Sequence, residues 1–391
     1  MPATLILNPF ATLFPDPKRS GGWIVQAPVP GLGLQRLSID ESRCPTLFEM
    51  CGHSGESSLA LIDIHGDLDQ GELSTLTEYG LIIEPEHVPA KPYFSCHLDS
   101  VEISYISADS DLIVDPTMRF EPFDLIKFRT WGTEKNLSPH LPSVWIEDDQ
   151  TGLRSGYWLD REQAAHVSLL TAGEPPCELP PDLLSKLRAA EIIVSKQKLG
   201  EKSKKSAKKI AESISAFAQN GYSVLRGVIP KNQITHLQDF YQEFERQGFM
   251  TLGDDLVPRR YVAPVEPLAS TIHRNLTKLM TALAGQSVIP SYCYAASYLE
   301  GADLKPHRDR PQCEFSFSMQ IDYEPQADDG ISPWPLYLSD QAGKEVPVYL
   351  GNGDCLAYKG CELTHYALPE GHHSTSLFFH YIPEDFSGDL V

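Results

Sequence analysis

From Val288 onward the chain is cut into short apolar stretches, at 292–299, 314–323, 335–338, 346–350, 354–358 and 375–382, separated by Gly, Pro, Asp and Asn. Stretches of this length suit strands better than helices, and the punctuation between them is that of turns. So many neighbouring strands must pair with one another, which commits this half of the chain to a sheet-based fold. Ahead of them lie a strand candidate at 221–229 and two helix candidates, 231–247 with Gly248 past its end and 268–284 stopped by Gly285. Two helices followed by a run of strands is the order of a jelly-roll with helices packed outside. The expected fold class is α+β, mainly β in the C-terminal half.

The 391 residues are 41% hydrophobic and 22% charged, an ordinary globular composition with room for two or three domains. Fifty-three Asp and Glu against 32 Lys and Arg leave a formal charge of -21, which argues against nucleic acid or an anionic membrane as a partner. The first twenty residues have no basic segment ahead of an apolar one, and no stretch approaches the roughly 20 apolar residues of a membrane helix. The expectation is a cytoplasmic protein. Eight cysteines, at 44, 51, 96, 177, 293, 313, 355 and 361, form no CxxC pair, so most read as buried free thiols in a reducing compartment. Oligomeric state leaves no mark in the sequence.

The sharpest change of composition is KQKLGEKSKKSAKK, residues 196–209, with seven Lys and one Glu in an acidic chain. We place a boundary there: an accessory α+β region at 1–195, a Lys-rich linker and helix start at 196–211, and the β-rich domain at 212–391. Ile210, Ile214, Phe217 and Ala218 follow at helical spacing and run to Asn220-Gly221. Within the accessory region LSTLTEYGLII (73–83) can be laid on LSKLRAAEIIV (184–194), each a short helix running into a strand. Helix candidates at 44–51 and 163–171 precede them, and 101–106 and 125–129 alternate as strands. Two helices followed by a β segment resemble a winged-helix module, including the small winged domains that read peptides beside peptide-modifying enzymes. A generic α+β packing domain fits the same pattern.

The chemistry is concentrated around His307-Arg308-Asp309 and His365. In an extended chain residues i and i+2 point to the same side, so His307 and Asp309 can approach one metal together. Gly353-Asp354 leads through an apolar strand and a Gly turn to His365, the order expected of a facing strand that brings a third ligand. Two imidazoles and a carboxylate on one face of an iron ion leave three positions open for a bidentate co-substrate and O2. A site closed by four protein ligands could not hold both.

With Tyr298, Gly301, His307-x-Asp309, Gly353-Asp354, His365 and the closing segment Ser376-Leu-Phe-Phe-His-Tyr381, residues 212–385 resemble the iron(II) and 2-oxoglutarate-dependent dioxygenases of the prolyl-hydroxylase-like and phytanoyl-type branches. The resemblance implies a double-stranded β-helix, Fe(II) held by His307, Asp309 and His365, 2-oxoglutarate and O2 as co-substrates, and hydroxylation as the usual outcome. An Asp at 309, where the halogenases of this group have a small residue, argues against halogenation.

One departure matters. The family places an Arg or Lys eight to ten residues after the distal His, to pair with the far carboxylate of 2-oxoglutarate. Here that stretch is Gly371-His-His-Ser-Thr-Ser376, and no Arg or Lys occurs after Lys359. Candidate replacements are His373, Ser374, Arg308, Arg310 and Tyr298, the last matching a tyrosine that reaches the co-substrate in prolyl-hydroxylase-like members. Arg310 could instead pair with Glu314. Trp334 and Tyr337 read as core aromatics, and the acidic loop 324–329 as exposed. The sequence therefore points to a hydroxylase of an unactivated C–H bond on a peptide or protein side chain. The alternatives are a small natural-product intermediate as substrate, or a cupin-like metal-binding sensor without turnover.

Overall fold

A computed structural model describes residues 152–264, 266–339, 343–367 and 372–388, together with shorter stretches before them at 6–8, 12–15, 23–29, 32–39, 42, 70–80, 82–84, 93–94, 111–121, 124–130, 133–140 and 142–148. The chain is mixed α and β and rich in sheet. The helix candidate at 44–51 and the strand candidate at 101–106 lie outside the described residues.

The C-terminal half opens with helix α1, Lys196–Asn220, which runs unbroken through the Lys-rich segment and stops at Gly221 in the left-handed conformation, φ 77°. Then follow β1 (Tyr222–Leu225), α2 (Lys231–Arg246), β2 (Thr251–Leu252), β3 (Arg260–Pro264), α3 (Pro267–Asn275) and α4 (Thr277–Ala284). The helix expected at 268–284 is thus two. Thr277 Oγ1 bonds the His273 carbonyl at 3.3 Å, a back-bond that competes with the helix ladder where the break falls. The remaining strands are β4 (Val288–Leu299), β5 (Leu304–His307), β6 (Phe315–Glu324), β7 (Leu336–Ser339), β8 (Glu345–Val348), β9 (Cys355–Tyr358), β10 (His365–Ala367) and β11 (His373–Pro383).

These strands form two antiparallel sheets, a seven-stranded one in the order β1-β9-β6-β11-β4-β3-β2 and a four-stranded one in the order β5-β10-β7-β8. The long sheet reads as an almost continuous buried run because each face has its own cover. Phe315, Phe317, Met319 and Ile321 of β6 and Leu377, Phe379 and Tyr381 of β11 pack with Phe217 of α1 and with Leu237, Phe240 and Phe244 of α2. Their neighbours in sequence point the other way, and Tyr298 and Phe378 meet Leu304 and Ala367 from the second sheet and Trp334 from the loop ahead of β7. Burying a side chain such as Phe317 contributes about 1.5–3 kcal/mol, and Phe317 is fully buried. The polar residues on the inner face, Ser316, Ser318, Gln320, Ser374 and Ser376, are buried as well.

In the accessory region both copies of the weak repeat are a helix running into a strand: Gln70–Glu78 with Ile82–Ile83, and Pro181–Ala189 with Ile193–Ser195. Each closing strand pairs antiparallel with an earlier one, Ile83 with Ile6 and Ile193 with Val114. The helix expected at 163–171 spans Arg161–Val167 and starts on a capping box made by Asp160 and Gln163. A hairpin, Ser143–Glu147 with Arg154–Trp158, precedes the helices of the second copy, and a three-residue strand follows them. Periodicity locates such elements but not which partner a strand will choose. Two sheets account for much of the rest, in the orders 33–39, 23–29, 12–15, 133–140, 124–130 and 93–94, 154–158, 143–147, 119–121.

Candidate metal centre and the pocket beside it

β5 and β10 are neighbours in the smaller sheet, in a register that sets His307 opposite His365. Their ring centroids are 4.3 Å apart. β5 is an edge strand, so Pro306 is tolerated within it. Asp309 lies in the loop beyond β5, where its backbone N–H donates to the Gly360 carbonyl at 2.9 Å. Asp309 Oδ1 is 3.7 Å from His307 Nε2 and 3.5 Å from His365 Nε2. The structure therefore brings His307, Asp309 and His365 together, with ligand-type atoms of all three within 4.8 Å of one another.

The ring orientations fit a cation. His307 Nδ1 meets the Lys305 carbonyl at 2.8 Å and His365 Nδ1 the Leu363 carbonyl at 3.0 Å. A ring nitrogen facing a carbonyl must donate its proton, so each Nε2 is left with a lone pair turned toward Asp309, the arrangement that orients metal-ligating histidines. Burial, then the His365 ring, lowers the His307 pKa and favours its neutral form. Burial alone would raise the Asp309 pKa, but the adjacent His365, with His380 and His307, leaves it lowered and the carboxylate ionised.

Behind Asp309, Ser316 Oγ donates to its Oδ2 at 3.4 Å and meets His380 Nδ1 at 2.8 Å. His380 is buried with its Nε2 unpartnered, and burial lowers its pKa to about 4. Asp309, Cys313 and His380 make a second group of ligand-type atoms. Burial, then Asp309, pushes the Cys313 thiol up to about 12, and a thiol that keeps its proton is a poor ligand. The first group is the better candidate for a metal centre.

A pocket opens between the two sheets alongside the triad. Its walls include Tyr298, Ser374 and Ser376 of the long sheet, Leu304 and Ala367 of the short one, and Trp334. Of the residues singled out for the co-substrate, Tyr298 and Ser374 are paired across β4 and β11 and both line this pocket. His373 sits on the opposite face of β11, 3.6 Å from Glu245 of α2. Alternation along the strand sends it there, since only one of two adjacent residues can face inward. Arg310 lays its guanidinium 4.7 Å over the Tyr292 ring, and Arg308 bonds Thr364 Oγ1 at 3.3 Å on the surface. Neither lines the pocket.

Gly353-Asp354 plays a structural part: the Asp354 carboxylate accepts from Gly227 N, Gly351 N and Arg226 Nη1 at 2.7, 2.8 and 2.6 Å. One functional candidate escaped sequence reasoning. Arg260, on the unanticipated strand β3, is buried opposite Tyr298 and donates to its hydroxyl at 2.9 Å, while Nε and Nη2 bind Asp254 at 2.7 and 2.5 Å. Its only sequence signal is an Asp six residues ahead of an Arg that opens a five-residue apolar segment. Burial raises the Tyr298 pKa and Arg260 offsets this in part, so the hydroxyl keeps its proton.

No family model and no curated protein sequence matches the chain. Among solved structures, similar ones are iron(II) and 2-oxoglutarate oxygenases. A prolyl-4-hydroxylase of Pseudomonas putida is 17% identical with a TM-score of 0.39, over 45% of this chain and 99% of that one. A prolyl hydroxylase of Trichoplax adhaerens, solved with a hypoxia inducible factor peptide, is 12% identical with a TM-score of 0.40, over 49% of this chain and 94% of that one. HygX from Streptomyces hygroscopicus, solved with nickel, 2-oxoglutarate and hygromycin B, is 15% identical with a TM-score of 0.34, over 45% of this chain and 88% of that one.

Proposed function

We propose that the chain is an Fe(II)/2-oxoglutarate-dependent oxygenase that hydroxylates an unactivated C–H bond. In this reading residues 212–391 form a double-stranded β-helix oxygenase domain, 1–195 an accessory region that recognises the substrate, and 196–211 the start of the helix between them. The observation that carries it is the convergence of His307, Asp309 and His365, with both Nδ1 atoms committed to backbone carbonyls and both Nε2 atoms free to ligate. Iron(II) on such a face would supply open positions for a 2-oxo acid and O2 side by side. The protein's share is to fix the two tautomers, hold Asp309 ionised, and present a walled pocket next to the ligands. The substrate class is a peptide or protein side chain, or a small natural-product intermediate.

The test is to supply the protein with Fe(II), 2-oxoglutarate, O2 and candidate substrates, and to look for succinate and for a product heavier by one oxygen. His307→Ala should abolish both. Retained turnover in that variant would refute the ligand assignment. Metal binding with no 2-oxoglutarate-dependent absorption in the visible under anaerobic conditions would favour the sensor alternative.

A further inference from the structure

The pocket between the sheets has an unusual balance of polar groups: among the described residues no Asp, Glu, Lys or Arg lines it, yet several of the residues that do line it carry hydrogen-bond donors. Trp334 Nε1 is buried without a partner. Tyr298 Oη accepts from Arg260 Nη1, so its own proton is available to a guest. Ser374 Oγ accepts from Gln320 Nε2 at 3.1 Å and is left in the same state. A buried donor without an acceptor is costly, and a cavity with surplus donors is suited to a guest made of acceptors.

Position narrows the guest. Leu304 and Ala367, which line the pocket, form the pair next along β5 and β10 from His307 and His365. Two residues of strand rise about 7 Å, a reach that a five-carbon dicarboxylate can span while its other end stays at the triad. The family's cation is missing from β11, but the buried guanidinium of Arg260 touches the pocket wall through Tyr298.

We propose that the far carboxylate of 2-oxoglutarate is held here by uncharged donors, Trp334 Nε1–H, Tyr298 Oη–H and Ser374 Oγ–H. Arg260 is a positioning residue that fixes the tyrosine and supplies positive potential at one remove. This rests on the reading of the triad as an iron site.

The experiment is an anaerobic titration of the full chain, loaded with Fe(II), against 2-oxoglutarate and against 2-oxobutyrate, which lacks the far carboxylate, followed by visible absorption. Fe(II) affinity is measured separately with the metal alone. Trp334→Phe, Tyr298→Phe and Ser374→Ala should each weaken 2-oxoglutarate about 10-fold or more, leaving 2-oxobutyrate and Fe(II) affinity unchanged. Arg260→Met should weaken 2-oxoglutarate selectively as well. Wild-type discrimination between the two acids in all of the conservative variants would overturn the anchor, as would equal loss of both acids. If the wild-type protein binds Fe(II) but gives no absorption with either acid, the co-substrate reading itself falls, and the anchor with it.

Discussion

The position of the Asp309 carboxylate depends on an absent side chain as much as on present ones. A Cβ built on Gly360 would lie 2.3 Å from Asp309 Oδ2 and 2.4 Å from the Cys313 carbonyl, closer than real Cβ contacts allow. Gly360→Ala should therefore shift the carboxylate and weaken Fe(II) binding by about 10–100-fold, the range seen when groups supporting metal ligands are disturbed. A metal titration checks this, with circular dichroism to show that the fold survives. Glu266 makes a separate residue-scale prediction. It is buried, accepts from Leu268 N and Ala269 N at 2.7 and 2.5 Å at the start of α3, and from the Tyr241 hydroxyl at 2.5 Å. Glu266→Ala should cost about 2–3 kcal/mol, since a charge-assisted cap is lost and a buried hydroxyl is left without its acceptor. Urea unfolding of the variant measures it.

Elements are tied together by pairs that span them, and the His373–Glu245 contact joins β11 to α2. Burial alone would lower the His373 pKa, but Glu245, with Asp322 and Glu324, raises it above its ordinary 6.5. A raised folded-state pKa contributes stability that is fully present below the unfolded value and is lost as pH rises through the folded one. Stability measured by denaturant should accordingly carry an increment at pH 5.5 that fades above pH 6.5, and His373→Gln should flatten that profile. A variant with the wild-type profile would assign the pH dependence elsewhere. The same alternation that turns His373 outward turns Ser374 into the pocket, so the two candidates adjacent in sequence have opposite fates.

At the scale of the molecule, the Lys-rich segment marks a change of composition but not a break in packing. Ile210, Ile214 and Phe217 of α1 lie against the helix-covered face of the long sheet. On the other side of the boundary, Gln233 Nε2 of α2 donates to the Ala189 carbonyl at 2.7 Å in a buried contact, and Lys278 of α4 pairs with Glu147. A chain beginning at Lys196 should therefore be less stable than the full chain, and one beginning at Gly221, lacking α1 as well and exposing that face, markedly less stable still. Thermal unfolding of the two, beside the full chain, tests this. Equal melting temperatures would show that α1 adds nothing to the sheet.

Much of this was legible locally. Short apolar stretches bounded by Gly, Pro, Asp and Asn located β4, β6, β9 and β11, since strands of this length are set off by turn residues. The His-x-Asp spacing and the position of His365 identified the candidate ligands, because those residue types at those intervals have few other chemical uses. The two strands that carry the histidines, β5 and β10, are four and three residues long, and strands that short have no period to detect. Which side chains face the pocket, and how buried Arg260 meets Tyr298 across β3 and β4, were decided by strand register. Register depends on residues 38 apart in the chain, and the spacing within either segment does not encode it.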